Sequence, residues 1–260
     1  MTTAGVLGRA EASSLTRVVA PVMLGVIVLA GWQALAGSGV VDSYLLPSPA
    51  AIGAEIVAFA PSMVSAGAAT GLNALVGLIA GTLMAIIAAL LASTTRVVDG
   101  MLAPVVAALA VIPIVALAPV LNTMFGADSQ TGRQLIAALA AFVPVFITTS
   151  RGLRQTQPVH RDLMKSYAAT PWQSMRAITL RVAVPYTFTG IRLASSLAVI
   201  SALVAEYFGG PRGGLGGLIS TSAASSAYPR AWAYVVAAIV LGLAFFVITS
   251  ALERWVSRRR

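Results

Sequence analysis

Six stretches of mostly apolar residues recur along this 260-residue chain, at roughly Val18–Ala36, Ala68–Ala92, Val97–Met124, Gln134–Ser150, Tyr186–Phe208 and Ala231–Leu252. A helix that crosses a bilayer needs about 20 such residues. With no water in the hydrocarbon region, each backbone N–H and C=O must be satisfied within the segment, so these runs are expected to be helical. Charged residues make up only 10% of the chain, against about 25% in a soluble domain. So little charge cannot cover a water-facing surface. The expected fold is an all-α polytopic membrane protein with about six transmembrane helices. Residues 1–17 form a short cytoplasmic segment and residues 18–260 a single transmembrane domain. The first run is long for the apolar core of a signal peptide and lacks a cleavage site followed by a polar domain, so it reads as a retained span.

The basic residues give the orientation. With the N-terminus in the cytoplasm, 13 of the 17 Lys and Arg fall in cytoplasmic segments. Only Arg133, Arg212 and Arg230 fall outside, and Arg192 lies within a span. The reverse arrangement would violate the positive-inside bias, so both termini are expected in the cytoplasm. The same bias accounts for the net charge of +9 without nucleic acid as a partner. Cysteine is absent and His160 is the one histidine, which leaves no thiol chemistry and no His-rich metal site.

The segment Gly37–Gly67 is too interrupted to span. Leu46-Pro47-Ser48-Pro49 leads into Ala51–Phe59, a short helix expected along the membrane surface, with Ser48 or a residue near it as its cap and Pro49 in its first turn. Pro104, Pro113, Pro119 and Pro144 lie inside spans three and four. Proline removes a backbone donor and kinks a helix, which fits ordinary bending or helices that line a path. No strong internal repeat is present, so an inverted-repeat transporter gains no support.

The loop Arg151–Pro185 is too polar to span and too long for a tight connection. Its spacing predicts one helix from about Pro158 to Ala168, with Leu163, Met164, Tyr167 and Ala168 on one face. A second helix starts at Thr170-Pro171, a capping residue followed by proline. Trp172, Met175, Ile178 and Thr179 line one side of it. Such a pair either lies on lipid headgroups, basic side to phosphate, or inserts apolar knobs into a groove on a cytoplasmic partner.

At this loop the chain resembles the permease subunits of binding-protein-dependent ABC importers. Their signature runs Glu-Ala-Ala, three residues, Gly, nine residues, Ile-x-Leu-Pro. Here Asp162 stands at the Glu position, Leu163-Met164 at Ala-Ala, Ala168 at the Gly, Ile178 at the Ile and Leu180 at the Leu. Arg181 replaces the proline, and Pro185 matches a later proline of relatives. An alanine at the glycine position disfavours a positive φ, which predicts a differently shaped turn. The likeness extends along the chain to permeases of the sulfonate, taurine, nitrate and thiamine-precursor group. It is carried by Leu46–Pro49, by Pro113, Ala116, Pro119 and Phe125-Gly126, and by Gly190–Ala194, Ala205-Glu206 and Gly214–Gly216.

The resemblance implies a type I importer permease: a homodimer of this chain, two ATPase subunits beneath it and an external solute-binding protein. Asp162, Leu163, Met164, Tyr167, Ala168, Trp172 and Ile178 would form the coupling element. ATP and magnesium would be bound by the partner. The chain has no G-x-x-x-x-G-K-[ST] loop, and Gly209–Gly214 is glycine-rich but lacks the Lys-Ser/Thr ending. The substrate would be a small anionic or heterocyclic solute. Glu206, near the outer end of a span, reads either as a solvated interface residue or as a gate residue. Arg192 reads as snorkelling to the interface or as bonding the coupling loop. Asn73, Asn122 and Ser201, with Thr82, Ser195 and Ser196, either hold helices together or line the path. A stand-alone transporter or channel is the alternative. It would need ionisable residues buried in several spans, and only Arg192 and Glu206 come near that.

Overall fold

The computed structural model of the chain describes residues 14–42, 44–126, 129–209 and 213–258. The expected basic segment through residue 13 lies outside them, as do Gly210, Pro211 and Arg212 of the glycine-rich loop. All regular secondary structure among the described residues is helical, in the order α1 (Ser14–Gly37), α2 (Pro49–Ala58), α3 (Ala60–Thr94), α4 (Arg96–Val111), α5 (Ile114–Phe125), α6 (Thr131–Arg154), α7 (Pro158–Ser166), α8 (Pro171–Ser174), α9 (Leu180–Phe208), α10 (Leu215–Ala224) and α11 (Tyr228–Arg258). A π-helical turn at Met175–Thr179 fuses α8 to α9. Among the described residues, five helices are long and apolar enough to cross a membrane, or six if the bent pair α4–α5 counts as one span.

Three boundaries differ from the sequence expectation. The second span begins at Ala60 rather than at residue 68, because Pro61 serves as an N-terminal helix residue rather than a breaker. At 35 residues, α3 is about 52 Å long and exceeds the roughly 30 Å hydrocarbon core. The third span is two helices bent by 100°. The break falls at Ile112-Pro113, both in extended backbone, since the ring of Pro113 excludes the helical conformation from the residue before it. The expected cytoplasmic loop is shorter than Arg151–Pro185: α6 runs on to Arg154, and from Pro171 the chain is continuously helical to Phe208. Pro185 lies inside α9. Ser48 caps α2 as expected, its hydroxyl accepting from Ala51 N at 3.2 Å. The short helix α10 had no sequence expectation.

Helices α3, α6 and α9 form the core. Lipid tails are as apolar as leucine, so helices associate there through close packing of small residues rather than through hydrophobic transfer. Ala74, Ala85, Ala137, Ala141, Ala194 and Ala198 are fully buried between these helices. Four glycines set the approach. A Cβ on Gly77 would sit 2.8 Å from the carbonyl oxygen of Gln134, and one on Gly81 would overlap that of Ala138. A Cβ on Gly190 would meet Val145 at 2.9 Å, and one on Gly152 would meet the Tyr186 side chain at 2.7 Å. No residue in the α1 span is buried. It touches the rest through Gln33, whose Oε1 accepts from Ala50 N at 3.0 Å, and through the edge-on rings of Trp32 and Trp232. A smaller cluster of Ile52, Met63, Ala66, Leu215, Ala233 and Tyr234 joins α2, α3, α10 and α11.

Gly81→Leu should lower stability by about 3 kcal/mol or more through overpacking, read as loss of a monodisperse detergent-solubilised species and a lower Tm. Gly100, on exposed α4 with nothing within 4 Å of an added Cβ, is the control: Gly100→Ala should be neutral or slightly stabilising.

Candidate functional site

The two ends of the bundle carry different chemistry. At the end where α6 stops, Gln157 leads into Pro158, which opens α7. Nothing in α7 is buried. Its C-terminus closes in a Schellman arrangement: Ala168 N donates to Lys165 O at 2.9 Å and Ala169 N to Met164 O at 3.0 Å. Ala168 is the residue between them and has φ +49°. The expectation of a differently shaped turn is therefore corrected. Alanine takes the left-handed conformation that a glycine would adopt freely, at a cost of roughly 1–2 kcal/mol. Thr170 then starts α8 with a complete capping box. Gln173 N donates to the Thr170 hydroxyl at 3.3 Å, and Thr170 N to Gln173 Oε1 at 2.8 Å. Both halves of the hairpin are thus fixed locally, without help from the bundle.

This hairpin carries six of the seven residues expected to couple to a partner. Leu163, Tyr167 and Trp172 are 49%, 75% and 69% exposed, large apolar groups displayed at a polar end of the molecule. Met164 is half-buried and Ala168 exposed. Asp162 is exposed and pairs with Lys165 at 3.1 Å, a contact of little energy. Ile178 lies further along, half-buried in the π-helical turn, and belongs to the bundle rather than to the exposed knob.

At the other end, Glu206 of α9 is only 1% exposed, which corrects the solvated reading. Its Oε2 accepts from the Thr70 hydroxyl at 2.7 Å and from Gly216 N at 3.2 Å, and its Oε1 accepts from Asn73 Nδ2 at 3.3 Å. The network continues outward. Leu215 N donates to Thr70 Oγ1 at 2.9 Å, Asn73 Nδ2 to Gln130 Oε1 at 2.8 Å, and Gln134 Nε2 to Asn73 Oδ1 at 3.3 Å. Arg133 was expected in an external loop. It is buried on α6 and donates to Gln130 Oε1 at 2.9 Å. One carboxylate therefore ties α3, α9 and the start of α10, with α6 joined through side chains. A Cβ on Gly214 would overlap the Glu206 carboxylate, so the chain turns into α10 with no room for another residue there. Asn122 Nδ2 donates to Ala205 O at 3.0 Å and holds α5 to α9, and Ser201 is buried on α9. All four residues expected near a path or gate thus face into the protomer.

Arg192 pairs with α11 rather than with the hairpin. Its Nε lies 2.9 Å from Glu253 Oε2 on α11, an ion pair by distance although that N–H is not aimed at the oxygen. The Thr189 hydroxyl donates to Glu253 Oε1 at 2.6 Å. Ser195 and Thr249 share a hydrogen bond at 3.0 Å along the same seam. The sequence expectation missed the pairing with Glu253 because residues 61 positions apart carry no local signal of meeting.

Two outcomes follow. Ala168→Gly should relieve the left-handed alanine and gain about 0.5–1 kcal/mol locally, read as a two- to fivefold slowing of hydrogen exchange for the amides of residues 164–170. Glu206→Leu should cost about 3 kcal/mol by stranding buried donors, and Glu206→Gln should cost less. In a thermal-unfolding double-mutant cycle, Glu206→Leu and Thr70→Val should be non-additive, because they remove one shared network.

Residues 77–260 match the family described as the binding-protein-dependent transport system inner membrane component. The chain is 30% identical over 197 residues to a probable ABC transporter permease protein of Haemophilus influenzae, covering 76% of this chain and 80% of that one. It is 33% identical over 163 residues to the riboflavin transport system permease protein RibX of Chloroflexus aurantiacus, covering 63% of this chain and 60% of that protein. A solved structure described as an amino acid ABC transporter with histidines superposes with a TM-score of 0.64 over 76% of this chain and 96% of its own, at 15% identity, a likeness of fold. The length of the family match and the identity to a relative over most of both chains place this protein in the family of multi-pass inner-membrane permeases of binding-protein-dependent ABC transport systems.

Proposed function

We propose that this chain forms the translocation path of an ATP-driven importer and takes its power stroke through the α7–α8 hairpin. The observation that carries this reading is the hairpin itself. It is rigidly capped, stands clear of the bundle and displays Leu163, Tyr167 and Trp172 where an aqueous partner can reach them. Apolar knobs held in fixed geometry suit a groove on another protein. The π-helical turn and α9 connect that knob to the core without a flexible joint, so a force on the hairpin moves a core helix.

The hairpin end carries Arg96, Arg151, Arg154, Arg161, Arg176 and Arg181. By the positive-inside bias this end is cytoplasmic, and both termini lie on that side. The partner there is an ATPase subunit, which binds ATP and magnesium and performs the hydrolysis. Two copies of the chain, two ATPase subunits and an external binding protein complete the assembly. The family description supports dependence on a binding protein. The solute is small and heterocyclic or anionic. The relative named for riboflavin transport supports the heterocyclic side of that range. In this reading Glu206, Asn73, Asn122 and Ser201 brace the outer end of each protomer, and the path itself lies between protomers.

Leu163→Ala combined with Tyr167→Ala and Trp172→Ala should reduce co-purification of the ATPase subunit at least about tenfold, with membrane insertion and Tm of the permease unchanged. Equal recovery of the ATPase with the triple variant would remove the basis of the coupling assignment.

A further inference from the structure

Helix α11 is fastened at its two ends to different parts of the protomer. Its outer end holds to α2 and α3. Arg230 Nε donates to Glu55 Oε2 at 2.8 Å, and the Arg230 guanidinium lies 3.8 Å from the centre of the Phe59 ring. The hydroxyls of Tyr234 and Ser62 share a hydrogen bond at 3.1 Å. Its inner end holds to α9 through a polar seam. On α9, Thr189, Arg192 and Ser195 follow one another at three-residue spacing, and on α11 Phe246, Thr249 and Glu253 follow at three and four, so each set lies on one helix face. Glu253 accepts from the Thr189 hydroxyl and pairs with Arg192, while Thr249 shares a hydrogen bond with Ser195. The Arg192 guanidinium also lies 5.9 Å from the centre of the Phe246 ring. The flanks of α11 are not filled. Two cavities of about 410 Å³ each border it, one toward α3 with Leu75, Ile79 and Phe245 in its wall, the other toward α9 and α10 with Leu203, Ile219 and Ile239.

We infer that the Arg192–Glu253 pair makes α11 follow α9 through the power stroke, and so carries the motion of the hairpin to the outer end of the protomer. The inference rests on the stroke entering at the α7–α8 hairpin. From Pro171 to Phe208 the chain is one continuous helical rod, and Leu180 to Arg192 is about 18 Å of it. A push on the hairpin therefore reaches the seam without passing a loop. There, rotation or sliding of α9 against α11 would draw a carboxylate away from a guanidinium. The two side chains are only 33% and 17% exposed, and separating charges at a site poor in water costs far more than sliding one apolar face over another. The apolar walls beside α11 offer no comparable resistance. The seam thus sets the register between the two helices. Because Arg230 and Glu55 tie the other end of α11 to α2, displacement of α11 is delivered to the outer surface. Arg192 and Glu253 are positioning residues, acting through α11 and away from the hairpin that meets the ATPase.

The chain contains no cysteine, so single cysteines can carry spin labels. Leu193→Cys on α9 and Val240→Cys on α11, both at exposed positions, are labelled one at a time in the complete complex with its ATPase subunit in nanodiscs. Double electron–electron resonance then gives the distance between the two copies of the label, without nucleotide and after trapping with ATP and vanadate. In the otherwise wild-type complex both distances should shift on trapping. Glu253→Gln, which keeps an oxygen for the Thr189 hydroxyl, and Arg192→Gln should each leave the shift at residue 193 intact and reduce that at residue 240 about twofold or more. Recovery of the ATPase subunit should not change. Arg192→Glu combined with Glu253→Arg should restore the shift at residue 240. A shift there that survives both glutamine variants would overturn the inference and leave coupling through the hairpin standing. So would a wild-type complex in which residue 193 shifts and residue 240 does not, or a swapped pair of wild-type Tm that restores nothing. A wild-type complex with no shift at residue 193 would overturn the power stroke itself, and this inference with it.

Discussion

The contact between α3 and α6 is made backbone to backbone. Gly77 and Gly81 lie against the Gln134–Ala141 stretch so closely that neither position has room for a Cβ. In water a helix pair gains from removing apolar surface, but in lipid that gain largely vanishes and dispersion between close surfaces must replace it. Small residues provide the closeness. Alanines on α9 extend the same packing to a third helix, and Gly190 and Gly152 set its approach to α6. With this three-helix core in place, the long outer helices need little burial of their own. Accordingly α11 hides only 6% of its span and α1 none, leaving their surfaces for lipid or for another subunit.

The polar groups of the spans are used sparingly and in pairs. Glu206 meets Thr70, Asn73 and an α10 backbone N–H at one end, and Arg192 meets Glu253 near the other. Each pair spans two or more helices, so each fixes the rotation of a helix about its axis, which smooth alanine packing alone leaves loose. An unsatisfied polar group is more costly in hydrocarbon than in a soluble core, because no water is at hand. Thr70 shows the economy of the arrangement: one hydroxyl donates to Glu206 and accepts from Leu215 N, joining a span to the start of a helix that does not cross.

Much of the hairpin was legible because its determinants are local. Thr170, Pro171 and Gln173 specify a helix start through atoms within three residues, and the apolar face of α7 follows from helical spacing. The turn at Ala168 runs against the residue's intrinsic preference because two backbone hydrogen bonds, from Ala168 N and Ala169 N, close the helix end around it. The outer network was less legible. Glu206 stood out as a carboxylate in an apolar run, but its burial depends on Thr70 and Asn73, which precede it by more than 130 positions. Arg133 looked like an external loop residue because hydropathy averages over a window and cannot register one buried cation in the first turn of a helix.

By itself the sequence determined the membrane class, the number of apolar segments, the position of Ser48 and Thr170 as helix starts, and the family likeness centred on residues 162–180. These follow from solvent chemistry and from interactions a few residues long. The tertiary structure decided the rest: the 100° break of the third span, the continuity of the hairpin with α9, and the partners of Glu206 and Arg192. Each of these depends on which helix faces which. Many alanine-rich surfaces are nearly interchangeable at the level of composition, and only the mutual fit of glycine gaps and buried polar pairs selects one arrangement.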